Sequence, residues 1–217
     1  MKEFANTQFN KQIFGKKPRS LANDIGNLLF WFVVCVFFIF VMFSEIYTGS
    51  LVKGPSMMPT FNKDYYSDKN KYDLVYYIPL KDNSYKRGDI VIADANGADP
   101  IIKRVIGLPG EKIEIKPYSD EMYYVYINGE RLIEGYIYSQ SEMVVEYEKF
   151  ILLYGAELVV PEGELFILGD NRANSNDSTM YGCFKYEKIL GRVDYIVSAD
   201  DVPAVSLFLQ MFLPFWF

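Results

Sequence analysis

The sequence predicts a mostly β domain behind one amino-terminal membrane-spanning helix. Three observations carry this reading. An uncharged apolar run lies near the start of the chain, short β-branched runs separated by turn residues follow it, and no long amphipathic helical pattern competes with them.

The apolar run comes first. No charged residue lies between Ile25 and Ser44, and every residue from Leu28 to Phe43 is apolar. A helix of about 20 such residues covers a hydrocarbon core of roughly 30 Å. A cleavable leader has a shorter apolar stretch and a small-residue cleavage site, and Ser44-Glu45-Ile46-Tyr47 offers none. The expectation is a retained helix over residues 25–45, preceded by a segment at 1–24. Lys11, Lys16, Lys17 and Arg19 outnumber Lys53 and Lys63 at comparable distance beyond the run. Under the positive-inside rule this puts the amino terminus in the cytoplasm and the remainder outside.

Residues 46–200 read as the β-rich domain. Asp89–Ala93, Pro100–Gly107 and Lys112–Lys116 are β-branched runs bounded by turn residues, and Glu111–Lys116 alternates charged and apolar side chains. Tyr123–Ile127, Asn128-Gly129 and Glu130–Ile133 form a hairpin pattern. Glu164–Leu168 and Arg192–Val197 complete the predicted strands. Residues 117–160 are an aromatic, acidic excursion, expected as a smaller inserted β region. Residues 201–217 are an apolar tail; as a helix its uncharged part reaches only about 22 Å, too short to span comfortably. It is expected at the membrane interface, with packing on the domain as the alternative.

Composition narrows the chemistry. The net charge is −6, poor footing for a nucleic-acid partner. Cys35 lies inside the apolar run and Cys183 far along the chain, so a disulfide between them is not expected. There is no histidine. That excludes a Ser-His-Asp triad, a Cys-His dyad and histidine-ligated zinc, and leaves lysine, a carboxylate or an amine as the base for any activated nucleophile.

Three constellations can carry chemistry. In Gly54-Pro55-Ser56-Met57-Met58-Pro59-Thr60 the glycine and prolines fix an irregular backbone around one serine. An ordinary turn with a solvated serine fits the same residues. Lys103 sits in an apolar strand, Ile101-Ile102-Lys103-Arg104-Val105-Ile106, where burial would favour the neutral amine; an exposed edge strand is the plainer reading. Gly169-Asp170-Asn171-Arg172-Ala173-Asn174-Ser175-Asn176-Asp177-Ser178 is dense in residues that bond backbone and orient neighbours. A calcium loop is disfavoured there, because the EF-hand spacing is absent.

Taken in order behind the apolar run, these boxes resemble the bacterial type I signal peptidases. The resemblance rests on Gly-Pro-Ser-Met-Met-Pro-Thr, Lys-Arg-Gly-Asp-Ile-Val (86–91), Lys-Arg-Val-Ile-Gly-Leu-Pro-Gly-Glu (103–111) and the box at 169–178. It extends to about Val197 and is loose over 117–160. The glycine before Pro55 is similar to Gram-positive members. The resemblance implies a signal-peptidase-like fold of antiparallel sheets and a serine endopeptidase needing no cofactor. It implies Ser56 as nucleophile, Lys103 as general base, and Ser175, Asp177 and Arg172 as a supporting network. The oxyanion would be held by the Ser56 N–H; at the place of Gly54 some members add a hydroxyl, which glycine lacks. Val52, Met57, Ile101 and Ile102 are implied candidates for the substrate pockets, with ordinary core packing as the alternative. The last box departs from the family at Thr179, where arginine is usual, and Cys183 stands where a thiol is not typical.

The implied partners are preproteins bearing signal peptides and the membrane lipid, and the implied state is a monomer in a bacterial plasma membrane. Ser56 lies 11 residues past Glu45, which holds it within roughly 40 Å of the end of the apolar run. A tethered inactive scaffold and a self-cleaving Ser-Lys repressor are the competing readings. The intact residues oppose the first, and the acidic balance with an apolar anchor opposes the second. A sortase is disfavoured because its cysteine acts with a histidine.

Overall fold

The computed structural model describes residues 21–68, 71–80, 83–95, 97, 99–119, 122–137 and 144–198. The chain divides into two compact units, Met1–Ile46 and Tyr47–Phe217.

The first unit holds helix α1, Leu21–Ile46. It starts four residues before the predicted span and takes Asp24 into its first turn, where a carboxylate faces the positive end of the helix dipole. Its Leu21–Met42 stretch has mean hydropathy 2.6 and none of it is buried. Among the described residues it is the one helix long and apolar enough to cross a membrane.

The second unit is built on two antiparallel sheets. The larger has strands β1 (Thr48–Leu51), β2 (Leu74–Ile78), β3 (Ile90–Ala93), β4 (Ile101–Gly107), β9 (Glu164–Leu168), β10 (Phe184–Lys185) and β11 (Ile189–Val197). Their spatial order is β1-β2-β11-β3-β4-β9-β10. The smaller sheet runs β7-β6-β5-β8, from β5 (Lys112–Ser119), β6 (Met122–Ile127), β7 (Glu130–Arg131) and β8 (Leu158–Val159). At the β6–β7 turn both Asn128 (φ 52) and Gly129 (φ 86) are left-handed, the conformation that an Asn-Gly hairpin turn requires. The sequence of β5 continues past its expected end at Lys116 through Pro117 to Ser119. Only Lys112 and Ile113 pair with β8, so the missing N–H of Pro117 falls where β5 pairs with β6 alone.

Strands β1, β2, β8 and β10 go beyond the predicted set, and the inserted region differs in kind. No helix is expected in the inserted region, yet Val144–Tyr154 is helix α2. Tyr147, Phe150 and Tyr154, at helical spacing, face the core cluster, but Leu152 is 89% exposed and Leu153 49%. Apolar residues on more than one face blur the periodicity that reveals an amphipathic helix.

Packing places the catalytic boxes. Ile106, Phe166 and Leu168 from β4 and β9 share a core with Ile113, Ile115, Val125, Ile127, Phe150 and Val160 of the inserted region. The smaller sheet is therefore built onto the far end of the two strands that carry the third and fourth boxes. Gly107 stands at this junction, where a Cβ would lie 2.8 Å from Ile113 and 3.0 Å from Phe166.

Candidate active site

The loop that carries Ser56 is held from both ends. Gly54 has φ +89, a conformation other residues adopt only with strain. The Asn62 amide donates to the carbonyls of Val52 (2.6 Å) and Gly54 (3.0 Å). The Asn62 backbone N–H in turn donates to the Asp73 carboxylate at 2.7 Å. Met57 and Phe61 are buried beneath the loop, leaving Ser56 half-buried at the surface between them.

Lys103 meets that serine from β4. Its Nζ donates to Ser56 Oγ at 2.9 Å and to the Ile102 carbonyl at 2.7 Å. The residue is only 3% exposed, so the apolar setting that allowed an exposed edge strand from sequence is an interior one. Burial of this kind disfavours the ammonium form. The pair is 47 positions apart in sequence and one hydrogen bond apart in space.

The last box packs behind them. Gly169 is squeezed between the two sides of the site: a Cβ there would lie 2.3 Å from Ser175 Oγ and 2.5 Å from the Ser56 carbonyl. Ser175 Oγ donates to Asp177 Oδ2 at 2.6 Å, and Gly169 N–H reaches the same oxygen at 3.0 Å. The other oxygen of Asp177 accepts from the backbone N–H (3.1 Å) and Oγ1 (2.8 Å) of Thr179. Asp177 thereby caps the short helix α3, Ser178–Tyr181. A fully buried carboxylate is tolerated because donors surround it. At the position where the family usually has arginine, Thr179 gives Asp177 a hydroxyl and an amide.

Arg172 is wholly buried. It donates to the Gly169 carbonyl at 2.9 Å and forms a fork with Glu134, at 3.0 Å through one nitrogen and closer through the other. The sequence grouped Arg172 with Asp177; its bonds described here run to Gly169 and to the inserted region. A second buried pair sits alongside. Arg104 grips Asp170 through Nε (2.8 Å) and a terminal nitrogen (2.6 Å), and Thr60 Oγ1 adds a bond to that carboxylate at 2.5 Å. The Arg104 guanidinium also lies 4.0 Å from the centre of the Tyr136 ring. Tyr136 O–H donates to Glu134 at 2.8 Å. Burial, reinforced by the Glu134 charge, pushes the Tyr136 phenol well above its ordinary value, so it remains a neutral donor.

Glu134, Tyr136 and Asn171 are site residues that sequence reasoning did not single out individually. Glu134 and Tyr136 lie in the loosely matched insertion and carried no spacing signal. The expected pocket residues fall into two groups. Val52, Met57 and Ile102 are buried in one cluster with Phe61, Val75 and Ile92, while half-buried Ile101 packs against a neighbouring cluster. Cys183 is no rival nucleophile, because burial pushes its thiol up to about 12.

The family model described as "Signal peptidase, peptidase S26" matches residues 25–198. The chain is 34% identical over 172 residues to signal peptidase I of Bacillus caldolyticus, across 76% of this chain and 86% of that protein. It is 31% identical over 180 residues to signal peptidase IB of Staphylococcus aureus, across 78% and 88% of the two. A crystal structure of a signal peptidase I from Enterococcus faecalis aligns with 32% identity and a TM-score of 0.40, covering 51% of this chain and 97% of that one. The chain belongs to the signal peptidase family, peptidase S26, and is a hydrolase of the bacterial type I kind.

Proposed function

We propose that the protein is a membrane-bound serine endopeptidase that removes signal peptides from exported preproteins, cutting after small residues of the Ala-X-Ala type. The observation that carries this reading is the 2.9 Å bond between the Lys103 amine and Ser56 Oγ, with the lysine buried. In the working form the amine is neutral. It takes the Ser56 proton as Oγ attacks the scissile carbonyl, and the Ser56 N–H receives the oxyanion. The tetrahedral species collapses, the C–N bond breaks, and the Lys103 ammonium returns the proton to the leaving amine. Water, deprotonated by the same amine, then attacks the acyl ester; collapse releases the carboxylate product and restores Ser56. Ser175, whose own proton goes to Asp177, turns acceptor lone pairs to its surroundings and is suited to orient the lysine.

The substrate enters as an extended strand, the mode in which backbone bonds supply affinity and side-chain pockets supply selectivity. Of the four pocket candidates, Ile101 has the most surface to offer. The apolar helix α1 anchors the enzyme, with the amino terminus cytoplasmic and the catalytic domain outside, as the lysine and arginine bias supports.

The test is cleavage of a preprotein in detergent by wild type, Ser56→Ala and Lys103→Ala. Both variants are expected to lose activity by at least about 10⁴-fold, and full cleavage by Ser56→Ala would sink the mechanism. The wild-type rate should rise with pH as the lysine loses its proton, because only the neutral amine is a base. A rate independent of pH from 6 to 10 would remove lysine from that role.

A further inference from the structure

The dyad explains how Ser56 is activated, but an acyl transfer also needs its oxyanion donor aimed. In the trans peptide between Pro55 and Ser56, the Pro55 C=O and the Ser56 N–H lie in one plane and point in opposite directions. Whatever holds that carbonyl therefore aims that N–H. Two donors hold it: Met58 N–H at 3.0 Å, closing the turn from within, and Asn171 Nδ2 at 3.1 Å, reaching in from the loop after β9. The backbone N–H of Asn171 also donates to the Ser56 carbonyl at 3.0 Å, so one residue grips the peptide planes on both sides of the nucleophile. Asn171 is 3% exposed, and only a glycine at 169 lets the Ser56 carbonyl pack this close, since a Cβ there would lie 2.5 Å from it. Among the described residues the Ser56 N–H itself makes no hydrogen bond. It is an aimed donor awaiting an acceptor.

We propose that Asn171 is a positioning residue for the oxyanion donor: its side-chain amide fixes the Pro55–Ser56 peptide plane so that the Ser56 N–H faces the developing oxyanion. The inference rests on the Ser-Lys reading above. It assigns Asn171 no contact with substrate. Because the amide is needed in the transition state more than in substrate binding, its loss falls on kcat and spares KM.

Asn171→Asp isolates the effect. The side chain keeps its size and the backbone bond to Ser56 stays, but an N–H donor facing a carbonyl becomes a carboxylate oxygen facing a carbonyl. In the full-length enzyme, kcat for a preprotein substrate should fall at least about 10-fold, a fraction of what losing an oxyanion donor outright costs. KM should stay within about twofold. Affinity for a substrate-like peptide boronate, whose tetrahedral adduct on Ser56 fills the oxyanion position, should fall by the same factor as kcat. In the uncharged Asn171→Ala variant the pH at which activity rises should not move, since Lys103 is untouched and no charge is added; the new carboxylate of Asn171→Asp should raise it. Asn171→Ala, which removes the donor without adding repulsion, should fall between the two and serves if Asn171→Asp lacks a cooperative melting transition.

Unchanged kcat in both variants, unchanged boronate affinity, or a displaced pH limb in Asn171→Ala would overturn the proposal. Ser56→Ala is run beside them. If it cleaves, the dyad reading has failed; if it is dead while Asn171→Asp matches wild type, only the positioning role has.

Discussion

The two sheets of the β domain differ in how they serve the site. The larger sheet carries every residue proposed to react: Ser56 follows β1, Lys103 is on β4, and the box at 169–178 follows β9. The smaller supplies none, yet the arm that follows β7 inserts Glu134 against Arg172 and slides Tyr136 beneath Arg104. Chemistry is concentrated in short motifs, and Arg104 and Asp170 pair between two of them, whereas the charge of Arg172 is neutralised from a region with no motif. A buried cation such as Arg172 is costly without a partner, and its partner comes from 38 positions away.

The comparison can be broken at several strengths. The largest effect should come from the reacting sheet. Lys103→Met should abolish cleavage yet leave the melting midpoint no lower, because an apolar side chain of similar length replaces a buried amine; a large drop in stability would show that Lys103 is structural. Next comes the inserted arm. Glu134→Ala removes the carboxylate that forks onto buried Arg172 (side-chain exposures 3% for the glutamate and 0% for the arginine), and urea unfolding should show a loss of about 3–5 kcal/mol. A loss below about 1 kcal/mol would mean that the arm merely covers the site.

A smaller effect is expected at Tyr136. Tyr136→Phe keeps the ring beside Arg104 and loses the bond to Glu134, costing about 1 kcal/mol. Tyr136→Ala should cost more, through the lost cation–π contact and a cavity. Equal losses would assign the whole contribution to the hydroxyl.

The smallest effect lies on the outer face of the smaller sheet. A hydrogen bond from Lys116 holds the Glu114 carboxyl below its ordinary value. A depressed carboxylate contributes stability that is present above its unfolded pKa and lost as pH falls through its lower folded value. Glu114→Gln should therefore lose that small contribution at pH 7, where the wild type holds it in full, and should flatten the acid side of a stability-against-pH curve. A marked loss at neutral pH would move this pair from the periphery to the core.

Much of this was legible because local patterns carried it. Uncharged residues 25–44 announce α1, Asn128-Gly129 announces its hairpin, and the ordered boxes behind an apolar run single out Ser56 and Lys103 without any contact being known. Helix α2 escaped because Leu152 and Leu153 obscure the stripe formed by Tyr147, Phe150 and Tyr154. Arg172 was expected in a network with Ser175 and Asp177; the bonds described for it run to Gly169 and Glu134, while Asp177 accepts from Ser175, Gly169 and Thr179. Glu134 and Tyr136 could not be found, since a glutamate and a tyrosine in an acidic, aromatic stretch look like any others.

By itself the sequence determined the residue types available for chemistry. With no histidine in the chain, a serine needs another base, and hydrophobic patterning alone decides which segments are strands and which can lie in lipid. Tertiary structure decided which groups meet. It turned an ambiguous strand lysine into a buried one at 2.9 Å from Ser56, and it matched the buried Arg104 and Arg172 to acids far away in the chain. The physical reason is range. Backbone propensity and periodicity act over a few residues, whereas the desolvation that shifts an amine and the pairing that tolerates a buried arginine depend on neighbours only the folded chain supplies.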